Sequence, residues 1–206
     1  MIEKIQKDIQ TNLKKYNQEL LNMKPQGILS WGYKKFDNQF AITTSFGIQS
    51  SVLLDMVSKL CLQKKIKIFW IDTGYLPPET YHYAEKLIDN LSLEVEVLQS
   101  ELSPARMEAK YGKLWETNKE SDLDKYHELR KIKPLENGLK KYDIFCWASG
   151  VRSNQTKNRK KMKSLEIVRQ RISLRPLLKW TNKDVFYYME ENNLPAHPLL
   201  SKVILL

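Results

Sequence analysis

Short apolar runs alternate with amphipathic helical patterns along this chain, and that alternation restricts the folds open to it. Phe40-Ala41-Ile42-Thr43-Thr44 reads as a buried strand, and Ser50 to Leu60 follows with Val52, Leu53, Met56, Val57 and Leu60 on one helical face. Ile66 to Ile71 is a second strand running into Asp72-Thr73-Gly74, and Pro77-Pro78-Glu79 opens a helix through about Asn90. Leu93 to Leu98 alternates as a third strand, Ile144 to Ala148 reads as a fourth, and Glu166 to Ser173 as a fifth. A helix over Glu3 to Leu21, striped by Ile5, Ile9, Leu13, Tyr16 and Leu20, precedes them, and Val185 to Asn192, capped by Thr181, follows. Strand–helix repetition of this kind implies parallel pairing, so the expected class is α/β, a mainly parallel sheet between helices. Ligands of such sheets sit beyond the carboxyl ends of the strands. No internal repeat divides the chain, so residues 1–206 are read as a single domain.

Composition narrows the class. Hydrophobic residues make up 42% and charged residues 28%, enough apolar surface for a core and too little charge for wholesale disorder. No run reaches the roughly 18 apolar residues of a membrane span, and the polar, acid-bearing start Met1 to Lys7 is unlike a targeting peptide, so a cytoplasmic protein is expected. Cys61 and Cys146 lie in different segments with no second pair, and both read as buried thiols rather than reactive groups or ligands of a metal or iron–sulfur site. The net charge of +10 favours polyanionic ligands. A phosphate-rich nucleotide and RNA both qualify, and a merely solvated lysine-rich surface explains the charge equally well. No RNA-binding signature is present, so nucleic acid is not the expected partner.

Three strand-end segments carry the chemistry. In Thr44-Ser45-Phe46-Gly47-Ile48-Gln49-Ser50-Ser51, small hydroxyl residues and a glycine allow an anion to approach a helix N-terminus, although an ordinary N-cap turn reads the same way; it lacks the Gly-Lys-Ser/Thr ending of a Walker loop. In Trp70-Ile71-Asp72-Thr73-Gly74-Tyr75 the aspartate can accept from a ribose or adenine donor, and Gly74 permits a tight turn. Asp-Thr-Gly also occurs in aspartic proteases, but the α/β pattern argues against that class. In the third, Gly150 follows a strand, and Arg152 and Arg159 are two helical turns apart, so both could face one anion with Gln155 between them, whereas Arg159-Lys160-Lys161 reads as solvated surface.

These segments closely resemble those of the phosphoadenylyl-sulfate (PAPS) reductase family. The resemblance is carried in order by Ser45-Phe46-Gly47-Ile48-Gln49, Asp72-Thr73-Gly74-Tyr75-Leu76, Pro78-Glu79-Thr80-Tyr81, Tyr111-Gly112-Lys113-Leu114-Trp115-Glu116, Lys131-Ile132-Lys133-Pro134-Leu135, Gly150-Val151-Arg152-Ser153-Asn154-Gln155 and His197-Pro198-Leu199. It implies a Rossmann-like fold of the adenine nucleotide alpha-hydrolase (PP-loop) type. It implies that Ser45, Gly47 and Ser50 form the modified nucleotide loop and that Asp72, Thr73 and Gly74 line the pocket. Lys131, Arg152, Gln155 and Arg159 would meet the phosphate and sulfate groups of PAPS or adenosine 3',5'-bisphosphate. Thioredoxin would be the external reductant, and relatives are often homodimers. Cluster-containing relatives carry a cysteine pair just before an Arg-Lys-x-x-Pro segment; Lys125-Tyr126-His127-Glu128-Leu129-Arg130-Lys131 has none, which implies the cluster-free branch with no bound cofactor, although Arg130 before Lys131 also occurs in cluster-containing relatives. His127 is not expected to bind metal. Adenylating relatives with the same loop usually read Ser-Gly-Gly-x-Asp-Ser, and Phe46 and Gln49 depart from that pattern.

In the family a C-terminal cysteine, within Glu-Cys-Gly-Leu-His, is the nucleophile, and these 206 residues contain no such segment. The expectation is therefore a shortened chain that binds nucleotide without turnover, or a silent binding remnant. A Gly-Tyr-Phe-Thr-Ile-Gly coding stretch that loses one G can read Val-Ile-Leu-Leu-stop, which matches Val203 to Leu206 and suggests a frameshift.

Overall fold

A computed structural model describes residues 2–47 and 50–200, with side chains from Lys7 onward. Ile48 and Gln49, the Ile5 side chain of the expected helical stripe, and the Val203–Leu206 tail lie outside the described residues. Helices α1 (Ile2–Leu21) and α2 (Pro25–Phe36) lead into β1 (Phe40–Thr44), α3 (Ser50–Lys59), β2 (Lys67–Ile71), α4 (Pro78–Leu91) and β3 (Val95–Leu98). Then follow α5 (Pro104–Tyr111), α6 (Glu120–His127), a π-helical turn (Glu128–Ile132), α7 (Lys133–Lys141), β4 (Cys146–Ser149), β5 (Leu165–Val168), β6 (Arg171–Leu174) and α8 (Asn182–Glu191).

The six strands form one sheet in the order β3-β2-β1-β4-β6-β5, parallel except for the β5–β6 pair. Successive residues of the central strands feed two different cores, as the period of two requires. Phe40, Ile42, Ile68, Trp70, Cys146 and Ala148 join the larger cluster, which α3 and α4 supply with Leu54, Met56, Tyr83 and Leu87. Ala41, Phe69 and Trp147 point the other way and meet Leu139 of α7 and Leu98. With both faces covered, β1 is buried along its whole length, and the sequence shows an apolar run rather than a polar–apolar alternation.

Two expectations need correction. Glu166 to Ser173 is not one strand but a hairpin, because Arg169 and Gln170 take φ of 48° and 63° and turn the chain back. Cys61 is exposed, not buried, since the chain leaves α3 there in a left-handed residue with φ of 54°. Helices α2, α5, α6 and α7 have no counterpart in the sequence reading.

The N-terminal helix closes one edge of the sheet. The Asn17 amide acts as one residue of an extra strand against β5, donating to the Leu165 carbonyl at 2.9 Å and accepting its N–H at 3.0 Å. The Asp8 carboxylate fixes α1 to α2: it accepts from Lys35 Nζ (2.7 Å), Tyr16 OH (2.7 Å) and Asn12 Nδ2 (2.8 Å), and Lys35 Nζ also lies 4.2 Å from the Tyr16 ring centre. The Lys35 hydrogen bond, with help from Tyr16, holds the Asp8 pKa down at about 2. A carboxylate depressed by folding stabilises the fold above its unfolded pKa, and that contribution disappears as pH falls through the folded value. Melting curves between pH 5 and 2 should therefore show a loss of stability from about pH 4 downward that Asp8→Asn reduces, the remainder coming from Glu94, Glu96 and Asp184, which are also held low. An unchanged pH profile in the variant would reject this role.

Candidate functional site

Because β2, β1 and β4 are parallel, the loops that follow them leave the sheet on the same edge. The chain also runs from β1 outward to β3 on one side and returns to place β4 on the other, so β1 and β4 flank a switch point, where crevices form in open α/β sheets.

The loop after β1 is held from within. Thr44 Oγ1 accepts the Phe46 N–H at 3.0 Å, and the Gly47 carbonyl accepts both the N–H (2.9 Å) and the hydroxyl (2.6 Å) of Ser50. The left-handed residue of this turn is Phe46, with φ of 47°, and not Gly47. An aromatic residue there is strained and persists because its ring is buried edge-on against Trp70, centroids 4.8 Å apart. Gly47 has no left-handed φ, and among the described residues a Cβ there would meet only Ser45 Oγ at 3.7 Å. The Ser45 side chain faces the cavity described below.

The loop after β2 is more tightly locked. Asp72 is 4% exposed, and its carboxylate accepts from the Gly74 N–H (2.8 Å), Tyr81 OH (2.8 Å) and Gln99 Nε2 (2.6 Å). It shapes the loop rather than facing the cavity. Thr73 Oγ1 accepts the Tyr75 N–H at 3.3 Å, while the Thr73 carbonyl is gripped by Arg130 through Nε at 2.7 Å and through Nη2. Gly74 is obligatory: its φ is 73°, and an added Cβ would lie 2.7 Å from Arg130 Nη2 and 2.8 Å from Pro104 Cγ. Tyr75 OH donates to Glu108 Oε1 at 2.9 Å, and burial pushes the pKa values of Tyr75 and Tyr81 up to about 12.

The basic residues converge without the helix expected between them. Arg152 is extended, and two short 3-10 turns, Ser153–Gln155 and Asn158–Lys161, carry the chain to Arg159. Gln155 Oε1 draws the ends together, accepting the Arg152 backbone N–H at 3.1 Å and Arg159 Nη1. Lys131 projects from the π-helical turn. Burial, and then the Arg159 charge, lowers the pKa of both Lys131 and Arg152. A cation close enough to act unfavourably on two others marks a place short of negative charge. Asp184 works in the opposite direction on Arg152. Gly150, at the end of β4, has no left-handed φ, and an added Cβ would find nothing within 4 Å.

Ser45, Ile71, Thr73, Tyr75, Leu76, Tyr126 and Lys131 line a cavity of about 340 Å³, within the usual range for small-molecule sites. One wall is an aromatic group that the sequence reading did not place there. Tyr75 and Trp115 have centroids 4.6 Å apart, and Tyr126 packs on Trp115 at 5.5 Å. A larger groove of about 750 Å³ runs between α1 and residues 153–164. Of the strand-end loops it takes only Ser153, whereas the smaller cavity takes Ser45, Thr73 and Tyr75 from the loops after β1 and β2 together with Lys131, so the smaller cavity is the candidate site. Both cysteines are remote from it. Cys146 starts β4, at the opposite end from Gly150, and burial pushes its thiol pKa well up. Cys61 follows the far end of α3, about 15 Å along the axis of a ten-residue helix from the loop that opens it. His197 is buried against α4, its Nε2 3.1 Å from Thr80 Oγ1 and its Nδ1 accepting the Leu199 N–H at 3.1 Å, so it anchors the segment after α8. Among the described residues no group of His, Cys, Asp or Glu is arranged to hold a metal ion.

A phosphoadenosine phosphosulfate reductase domain model matches residues 39–204. The chain belongs to the phosphoadenosine phosphosulfate reductase family. It is 41% identical over 191 residues to the phosphoadenosine 5'-phosphosulfate reductase of a Synechococcus species, covering 93% of this chain and 82% of that one. Identity to the enzyme of the same name from a Synechocystis species is 39%, over 89% of this chain and 73% of the other. The crystal structure of the PAPS reductase from Candida auris, a phosphate complex, superposes with a TM-score of 0.77 at 28% identity, covering 93% of this chain and 91% of that one. Candida glabrata FMN adenylyltransferase in complex with ATP shares the fold at a TM-score of 0.61 and 15% identity. The expected PP-loop type of α/β fold is the fold observed.

Glycines in this family site separate into two kinds. Gly74→Ala should cost about 1–3 kcal/mol, from positive φ and the collision with Arg130. Gly150→Ala should leave the melting temperature within about 2 °C of the parent, yet weaken any ligand that approaches the end of β4. Paired thermal melts and ligand titrations check this, and a large stability loss in Gly150→Ala would contradict it.

Proposed function

We propose that this chain is the nucleotide-binding body of a PAPS reductase, holding PAPS or adenosine 3',5'-bisphosphate across the ends of β1, β2 and β4. The observation that carries the reading is that Lys131 lines a cavity with Ser45 and Thr73, and that Arg159 lies close enough to act on both Lys131 and Arg152. A sulfated, doubly phosphorylated adenosine supplies the negative charge that this cluster lacks. Arg152 and Arg159 offer planar forks to its phosphate and sulfate oxygens, and Lys131 a point charge. The open space at Gly47 and Gly150 lets the ligand approach the backbone there. Asp72, with its carboxylate already engaged, and Gly74 contribute by fixing the loop, whereas Ser50 fixes the start of α3.

The reaction of the family is sulfur transfer: a thiolate attacks the sulfate sulfur, the sulfur–oxygen bond to the nucleotide breaks, adenosine 3',5'-bisphosphate leaves, and a dithiol reductant then releases sulfite from the sulfocysteine. The cations neutralise charge on the departing phosphate. Neither cysteine of these 206 residues reaches the cavity, so the chain supplies the binding half of that chemistry. We further propose thioredoxin as the reductant, no iron–sulfur cluster, since residues 125–131 carry no cysteine, and a cytoplasmic homodimer as the working form. No described helix is long and apolar enough to cross a membrane.

Calorimetric titration with PAPS, with adenosine 5'-phosphosulfate lacking the 3'-phosphate, and with adenosine 3',5'-bisphosphate tests this directly. Tighter binding of the two 3'-phosphorylated ligands is expected, and absence of binding by all three would end the proposal. With thioredoxin present, sulfite release by this chain is expected to be undetectable. Any sustained turnover would show that one of its own thiols acts.

Lys131 supplies a pH test. Its pKa lies below the ordinary 10.5, so its charge is lost earlier than that of a solvated lysine, and anion affinity should decline on the alkaline side below pH 10.5. Lys131→Met should lower affinity by about tenfold or more at neutral pH and remove that alkaline limb. A limb that persists unchanged in the variant would assign it to another group.

A further inference from the structure

Among the described residues Arg130 is the largest fully buried side chain, 2% exposed, and the sequence reading assigned it no role in the site. It occupies the π-helical turn Glu128–Ile132, a distortion that often marks functional sites. Here the turn sends Arg130 inward and the next residue, Lys131, to the cavity wall. All the hydrogen bonds of the guanidinium go to backbone carbonyls, Thr73 through Nε and Nη2 and Leu102 through Nη1, and its Cζ lies 5.3 Å from the centre of the Tyr75 ring. Among the described residues it forms no ion pair, and the Asp72 carboxylate of the same loop accepts instead from Gly74, Tyr81 and Gln99.

A buried guanidinium normally has a carboxylate partner, since solvation by carbonyl dipoles satisfies its hydrogens but leaves the charge uncompensated. This one sits directly behind two residues of the cavity wall, Thr73 and Tyr75. It also occupies the Thr73 carbonyl, a negative dipole end, with two of its N–H groups. We infer that Arg130 is a positioning residue of the nucleotide site, whose buried charge, held by the Thr73 and Leu102 carbonyls rather than in an ion pair, presets the cavity for a polyanion before any ligand arrives. Preset charge of this kind needs no reorganisation when the ligand binds. The inference rests on the nucleotide reading above and adds a residue that touches no substrate atom.

Two ligands and two variants test it. Adenosine 3',5'-bisphosphate and uncharged adenosine are titrated, by calorimetry and ligand-observed NMR, into the wild-type chain, Arg130→Gln and Arg130→Lys. Arg130→Gln keeps a donor near the Thr73 carbonyl and removes the charge. It should weaken the bisphosphate about tenfold or more and change adenosine by less than about twofold. Arg130→Lys keeps the charge without the planar fork, and its ratio of bisphosphate to adenosine affinity should stay close to that of the wild type. Equal weakening of both ligands in Arg130→Gln, or of neither, makes Arg130 a purely structural residue and overturns the inference. Should Arg130→Gln not fold, a collapsed affinity ratio in Arg130→Lys overturns it and a preserved ratio supports it. A wild-type chain that binds neither ligand sinks the nucleotide reading itself, an outcome distinct from failure of the Arg130 role alone.

Discussion

Parallel pairing of β1 with β2 on one side and β4 on the other is the constraint from which the rest of the molecule follows. Registers of Thr44 with Trp70 and of Thr43 with Ser149 bring three strand ends level, so residues 45–47, 72–75 and 150–155 emerge beside one another although more than a hundred positions separate the first from the last. Parallel neighbours cannot be joined by tight turns, and the required crossovers supply the helices that cover both faces. Alternate residues of each strand then enter separate cores, and the central strands are left with no solvent face.

Rigidity at the strand ends comes from groups that satisfy one another within the protein. Asp72 gathers three donors, Arg130 gathers two carbonyls, and Gln155 joins Arg152 to Arg159. The bonds of Asp72 and Arg130 satisfy buried polar groups that would otherwise cost about 1–3 kcal/mol each, whereas the Gln155–Arg159 bond is exposed. The electrostatic balance is not closed in the same way: the Asp72 carboxylate is tied to neutral donors, while Arg159 acts unfavourably on both Lys131 and Arg152, offset at Arg152 by Asp184. A hydrogen-bonded frame with an excess of cations has the character of an anion site, because binding relieves the repulsion without rearranging the frame. The strained Phe46 belongs to the same economy, held in place by its buried contact with Trp70.

Residue by residue, legibility followed the range of the interaction. Strands β1 to β4 and helices α3, α4 and α8 were visible because hydrophobic period and capping residues act over a few positions; Thr181, for example, accepts the Asp184 N–H as a local cap. The hairpin at Arg169 and Gln170 escaped notice because neither residue advertises positive φ. Helix α7 did so because it is short and its contacts are with β2 and β3, far away in sequence. Of the motif residues, Ser45, Thr73, Tyr75, Leu76 and Lys131 line one cavity. Their roles were less legible: Asp72 turned out to be a bracket, Gly47 a bystander in backbone terms, and Arg130, the group that organises the 72–75 loop, was passed over as half of a dipeptide.

The amino-acid sequence by itself determined the α/β class, the strand-end position of the functional loops and the family, because these depend on local periodicity and on short motifs in a set order. Only the tertiary structure decided which polar groups face the cavity and which are consumed in building it. That division depends on distances between segments that no local pattern encodes, such as the grip of Arg130 on Thr73, 57 positions earlier, and of Asn17 on Leu165, 148 positions later. Burial decided the rest: it turned Cys146 into an inert core thiol, and it made the charge of Arg130 count where the same charge in water would be screened.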